Sequence, residues 1–168
     1  VERMHELYDA GVRIISLNWQ GENALGGGYD TNSPLTHLGR TVAAEALDLG
    51  MVLDVSHSSV RVAEELADMS AAVKRPLIAT HSAASAVARH PRNLTDEQFM
   101  RISASGGIVG IPLVGPHLCD VSTRRAAIAD VINHIEYFLG LDGQHTVCLG
   151  CDFDGTDALP VEIDSIAT

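Results

Sequence analysis

Leu49-Gly-Met-Val-Leu-Asp54-Val-Ser-His57 reads as the close of a helix, a glycine stop, a short apolar strand and a polar strand end. Gly50 stands where a helix hands its last carbonyls to a left-handed residue. Met51 to Val55 is then too short for a helix of ordinary length but suits a strand covered on both faces. The same pattern recurs on both sides, as apolar runs at Val12 to Leu17, Leu77 to Thr80, Gly107 to Ile111 and Thr146 to Leu149. A helix ending near Gly11 precedes the first of them.

Between these runs apolar residues recur at helical spacing, predicting helices over Leu38 to Leu49, Ser59 to Ala72, Thr95 to Ser105 and Ser122 to Leu139. Thr95-Asp-Glu-Gln98 has the form of a capping box, and Gly140, like Gly50, falls at a helix C-terminus. Gly21 to Ser33 is the longest loop and follows the first strand, on the face where the other strand ends lie. Alternating strands and helices of this kind build an α/β fold on a parallel sheet. Five units of roughly 30 residues fill the chain, whereas a closed β/α barrel takes eight units and about 250 residues. The arithmetic favours an incomplete barrel over a doubly wound sheet of five strands. No linker or low-complexity stretch divides residues 1–168, which are read as one domain.

At 46% hydrophobic content the chain can bury a sizeable core. Its 22 acidic residues outnumber 11 basic ones, and without a basic patch neither nucleic acid nor an anionic membrane is an expected partner. No apolar stretch reaches the ~20 residues of a membrane span. Three cysteines, Cys119, Cys148 and Cys151, make no disulfide framework and point to a reducing, cytoplasmic setting.

Chemistry in β/α folds gathers at the C-terminal ends of strands. Here those ends carry His57 after the second strand, His81 after the third, and Asp152 with Asp154 after the fifth. Imidazole and carboxylate are the donors that zinc or a similar borderline ion accepts, so two histidines on successive strand ends point to a shared metal. His5, His37, His134 and His145 read as surface or capping residues; His90 and His117 lie nearer the active face, although surface loops would hold them equally well. Cys148-Leu-Gly-Cys151 has redox spacing, but it lies on a strand with no second pair, and reads as packing. An apolar strand running into Asp152-Phe-Asp-Gly-Thr156 also matches the nucleophile motif of haloacid-dehalogenase-like phosphatases. That motif stands near the start of those proteins, whereas only twelve residues follow Thr156 here.

The chain resembles the membrane dipeptidase (renal dipeptidase-like, M19) family. The resemblance runs through Leu7-Tyr-Asp-Ala-Gly-Val-Arg13, Leu49 to His57, Leu77-Ile-Ala-Thr-His-Ser82, His90-Pro-Arg-Asn-Leu-Thr-Asp96, Gly106-Gly-Ile-Val109 and Leu149-Gly-Cys-Asp-Phe-Asp-Gly155. It implies a (β/α)8 barrel of the TIM type, of which this chain covers about strands 4 to 8, and a two-zinc site that hydrolyses dipeptides, often with a C-terminal D-residue. On the same resemblance His57 and His81 hold the second zinc, Asp152 shuttles the proton, Arg92 grips the substrate and Asp154 adds to the pocket. Trp19 stands where the family often has an oxyanion-stabilising histidine; an indole donates one N–H but cannot titrate, and a pocket wall is as good a reading of it as a donor.

The family's His-x-Asp pair from its first strand and its metal-bridging glutamate from the third have no counterpart in this sequence. With Val12 to Leu17 as the fourth barrel strand, they would precede Val1. The resemblance thus implies part of a zinc-dependent dipeptidase acting on a small dipeptide, with a homodimer among the assemblies left open. The competing reading is a non-catalytic binding or structural module built on an incomplete barrel.

Overall fold

Each predicted strand forms, somewhat shortened, and pairs in parallel with a neighbour. The computed structural model describes residues 2–163 and 165. Its elements are α1 (Glu2–Asp9), β1 (Ile14–Ser16), α2 (His37–Asp48), β2 (Val52–Asp54), α3 (Val60–Ala72), β3 (Leu77–Ile78), α4 (Asp96–Ala104), β4 (Val109–Ile111), α5 (Gly115–Leu118), α6 (Ile128–Leu139) and β5 (Val147–Leu149), followed by a 3-10 turn at Phe153–Gly155. The chain divides into two compact units, Val1–Ala79 with Ala104–Gly107, and Thr80–Ser103 with Ile108–Thr168.

In the first unit the sheet order is β1-β2-β3, with Leu53 opposite both Ile15 and Leu77. Helices α2 and α3 make the crossovers that parallel neighbours require. Their caps are chemical as well as positional: the Thr36 hydroxyl accepts from Gly39 N at 3.0 Å and that of Ser59 from Val62 N at 3.1 Å, each satisfying a donor the first turn leaves open. Gly50 closes α2 with a left-handed φ of 84°. Ala43, Ala46, Met51, Leu53, Val62 and Leu66 form the buried centre of this unit.

In the second unit β4 pairs with β5, Gly110 standing opposite Cys148. Phe99 of α4 and Phe138 of α6 stack with ring centroids 4.1 Å apart and planes 6° from parallel, and both are fully buried. The predicted capping box holds: Thr95 N donates to Gln98 Oε1 and Gln98 N to Thr95 Oγ1.

Two helix ends differ from expectation. The helix predicted from Ser122 begins at Ile128, because Asp120 draws Ser122 into a turn, its Oδ1 accepting from both Ser122 N (3.0 Å) and Oγ (2.6 Å). This side chain offers the backbone an alternative to helix, and Asp130 Oδ2 then takes Ala127 N at 2.9 Å where the helix starts. Gly140 caps α6 as predicted in position but keeps a right-handed φ of −64°. The short α5 has no apolar period to announce it, and the sequence pattern gives no sign of it.

Candidate active site

In the first unit the site is a braced turn. Asp54, 3% exposed at the end of β2, accepts Ser56 N at one carboxylate oxygen (2.9 Å) and the Ser16 hydroxyl of the neighbouring strand at the other (2.8 Å). Ser58 N closes the turn onto Val55 O at 2.9 Å. The residue so held is His57, at a left-handed φ of 72°. Such a conformation costs a side-chain-bearing residue about 1–3 kcal/mol and persists where its surroundings fix it, commonly at a functional site.

Two aromatic rings flank His57, Trp19 at 6.0 Å and Tyr29 at 5.9 Å between centroids. The glycine-rich loop brings them there by folding back on the same turn: Gly28 pairs with Ser58, and Ser59 N donates to Gly27 O. Trp19 is 67% exposed although it is the chain's single tryptophan, which suits a wall facing a ligand. Its neighbour Asn18 is buried, and Asn23 fastens the strand end by donating from Nδ2 to Leu17 O at 2.9 Å. Tyr29 carries no sequence signal beyond being an aromatic residue in a glycine-rich loop.

In the second unit His81 Nδ1 lies 2.8 Å from Thr80 Oγ1. A partner on one ring nitrogen fixes the orientation of the ring, and Nε2 is then the nitrogen a metal would use. The Thr80 carbonyl is seated against two strands so closely that a Cβ on Gly110 would come within 2.1 Å of its oxygen and one on Gly150 within 1.9 Å. Both glycines are therefore needed for the backbone approach that anchors the His81 strand end, reinforced by Ser82 N donating to Gly110 O at 2.8 Å.

Arg92 is 6% exposed, and its Nη2 reaches the His81 carbonyl at 3.5 Å, so the arginine and the histidine lie together. Asp152 is half-buried and left-handed (φ 58°), at the head of the 3-10 turn. Gly155 donates its N–H to Asp152 O, and a Cβ there would lie 2.3 Å from the Asp152 carboxylate. Asp154 is exposed. Cys148 and Cys151 are half-buried free thiols, and burial pushes the Cys148 thiol up.

Two histidines of this unit depart from their sequence reading. His134 is fully buried: its Nδ1 accepts from Ala84 N at 3.0 Å and its Nε2 lies 3.1 Å from Leu118 O. The sequence does hold a signal, since His134 falls three residues after Val131 and four before Phe138, on the buried stripe of α6. His117 is 8% exposed and packs its ring 4.5 Å from the half-buried ring of His90. Beside them a cavity of about 710 Å³ is lined by Arg89, His90, Cys119, Arg124, Asp130 and other residues. There the Arg124 guanidinium meets Asp130 at 2.5 and 2.6 Å and holds its carboxyl below the usual range.

An imidazole is a donor that a zinc ion accepts, and the His81 ring is already oriented through its second nitrogen. A catalytic zinc takes three protein ligands. Among the described residues no three His, Cys, Asp or Glu side chains come together to hold a metal ion. The chain's residues therefore fit a zinc ion as part of its ligand set. Among the described residues no helix is long and apolar enough to cross a membrane.

The chain is 35% identical, over 98% of its length, to an uncharacterized protein in the pqqA 5' region of Klebsiella pneumoniae, and spans 63% of that protein. It is 30% identical over 98% of its length to an uncharacterized dipeptidase of Schizosaccharomyces pombe and spans 40% of it. Its fold superposes with a TM-score of 0.88 and 31% identity on a metallo peptidase from Rhodobacter sphaeroides, solved with a phosphinate mimic of the dipeptide L-Ala-D-Ala, covering 96% of this chain and 48% of that one. Residues 1–168 match the sequence profile of the membrane dipeptidases throughout, and the chain belongs to that family, peptidase family M19.

Proposed function

We propose that the protein is a zinc-dependent dipeptidase and that these residues form strands 4 to 8 of its (β/α)8 barrel, as a piece of one catalytic domain. The observation that carries the reading is the family match over residues 1–168 together with His57, His81, Arg92 and Asp152 at or beside the strand ends. The chain's share of its relatives, 40% and 63% of the two above, supports the view that the other metal ligands belong to the rest of the barrel.

In this reading His57 and His81 hold one zinc of a binuclear pair. A zinc ion bound there would supply Lewis-acid chemistry, polarising a carbonyl and lowering the pKa of water. Asp152 takes the proton of the attacking water and passes it to the leaving amine, the work of a general base that becomes a general acid. Arg92 grips the substrate's free carboxylate through paired hydrogen bonds, which a planar guanidinium makes well. Trp19 walls the pocket and Asp154 adds a carboxylate at its rim. Acceptance of a C-terminal D-residue follows from the resemblance and finds a parallel in the mimic bound to the Rhodobacter sphaeroides relative. A reducing, cytoplasmic setting belongs to the same reading, supported by three free cysteines, and so does a homodimer.

The test is hydrolysis of a dipeptide panel, C-terminal D-residues included, with zinc added or chelated, by this protein beside its His57→Ala variant. Zinc-dependent cleavage by the parent that drops to background in the variant is the expected result. Cleavage that ignores zinc, or that survives the substitution unchanged, would sink the metal reading.

A further inference from the structure

Arg92 sits in a loop, and its position depends on how that loop is held. Both ends of the loop are tied: Leu94 N donates to Ala83 O at 2.8 Å and Ser85 N to Leu94 O at 2.9 Å, around the Ala84–Leu94 bridge. Inside, Asn93 N donates to His90 O at 3.0 Å, while the Arg92 backbone N–H donates to His90 Nδ1 at 3.2 Å. The second bond has the pattern of an Asx turn, a side-chain acceptor taking the N–H two residues on, with an imidazole in place of a carbonyl. Pro91 between them fixes its own φ and has no N–H to compete.

His90 is in turn held from the side. The His117 ring packs 4.5 Å from it, carried on α5. Asn93, 7% exposed, donates from Nδ2 to Ala88 O and to His117 O, both at 2.8 Å, which staples the loop to α5. Accepting the Arg92 N–H requires that Nδ1 carry no proton. Burial, and then the Arg92 charge, lower the His90 pKa and so favour the neutral ring.

We propose that His90 is a positioning residue for Arg92, its Nδ1 fixing the arginine backbone so that the buried guanidinium is presented to the substrate's carboxylate. The proposal rests on the carboxylate grip assigned to Arg92 above. Its consequence is selective: loss of the acceptor weakens the hold on substrate and leaves the chemical step alone, so KM moves and kcat does not.

Two variants separate the hydrogen bond from the ring packing. His90→Phe keeps an aromatic ring against His117 and removes the acceptor; His90→Asn restores an acceptor at Asx-turn spacing without the ring. Two readouts are taken on the zinc-loaded protein: kinetics on a dipeptide with a free carboxylate and on its C-terminal amide, and hydrogen exchange of the Arg92 amide. The expected result for His90→Phe is a KM for the free acid raised roughly fivefold to tenfold, with kcat within about twofold and Arg92 exchange faster by a similar factor, as one lost hydrogen bond implies. His90→Asn should return both to near the parent values, and exchange along α6 should stay unchanged as evidence of an intact fold. Unchanged Arg92 exchange in His90→Phe, an equal loss on free acid and amide, or no recovery in His90→Asn overturns the proposal. Failure of the underlying reading has a separate signature, an Arg92→Ala variant that keeps its preference for the free acid over the amide.

Discussion

β4 and β5 are hydrogen-bonded neighbours of similar composition, yet Val109, Gly110 and Ile111 of β4 are all buried while Leu149 of β5 is 64% exposed. The first unit repeats the contrast, since Leu53 of β2 is fully buried and Ile14 of β1 is 49% exposed. The inner member of each pair has backbone partners on both sides. β2 lies between β1 and β3, and β4 lies between β5 and the Ser82 N–H that donates to Gly110 O. Among the described residues β1 and β5 have one strand neighbour each, and each keeps an apolar residue exposed. Pairing alone does not decide burial, since β3, at the other end of the first sheet, buries Leu77 and Ile78; within the pairs β1–β2 and β4–β5 it is the inner member that is core.

The contrast is broken most severely at the centre of the first sheet. Leu53→Ala removes a fully buried side chain and should cost about 2–5 kcal/mol, whereas Leu149→Ala should stay within about 0.5 kcal/mol. Denaturant melts of the two variants check this directly, and comparable losses would show that edge and centre are equally packed.

A smaller effect is expected from the helix that covers the second sheet. α6 packs on both β4 and β5, and its buried His134 joins the Ala84 N–H to the Leu118 carbonyl. His134→Ala leaves both backbone groups without this partner, at about 1–3 kcal/mol for each. The residue also makes stability depend on pH. Burial lowers the His134 pKa below the ordinary 6.5, against smaller opposing contributions from Leu118 and Asp130. The unfolded chain thus binds the proton more readily, and the contribution of His134, complete above about pH 6.5, is lost as pH falls through the lowered value. A His134→Phe variant should show a flatter fall in melting temperature over this range than the parent, and parallel curves would remove His134 as the cause.

The same contrast explains what is legible in the sequence. All five strands are visible because each is a short β-branched run between turn signals, and the helix starts are visible where Ser59 or Thr95 with Gln98 supplies the cap. Pairing is not, because Val109 and Leu149 are equally apolar and nothing local distinguishes two neighbours from one. The start of α6 is misplaced because its apolar period projects back through Ser122, where the Asp120 side chain competes with helix. At the site, His57 and His81 stand out by falling on strand ends. Tyr29 does not, since its approach to His57 depends on Gly28 pairing with Ser58, a contact between residues 30 apart in sequence. His90 and His117 read as loop residues because their mutual burial comes from the Asn93 staple, which is tertiary.

The smallest stability effect carries the sharpest test of the edges. An apolar strand with one unpaired side is a template for a second chain, and a charged side chain is a common way of blunting it. Leu149 on β5 and Ile14 on β1 carry no such charge. The isolated 168 residues should therefore form larger species as concentration rises, visible by light scattering after size exclusion. Leu149→Lys should shift that distribution toward the monomer, and Leu149→Lys with Ile14→Lys should shift it further. Because both positions are open to solvent, each change should alter unfolding free energy by no more than about 0.5 kcal/mol. Association that responds to lysine at these edges without a matching loss of stability assigns the exposed apolar residues to strand pairing. A parent chain that is monodisperse and monomeric at every concentration would show that these edges do not recruit a partner, and the distinction between inner and outer strands would then concern packing alone.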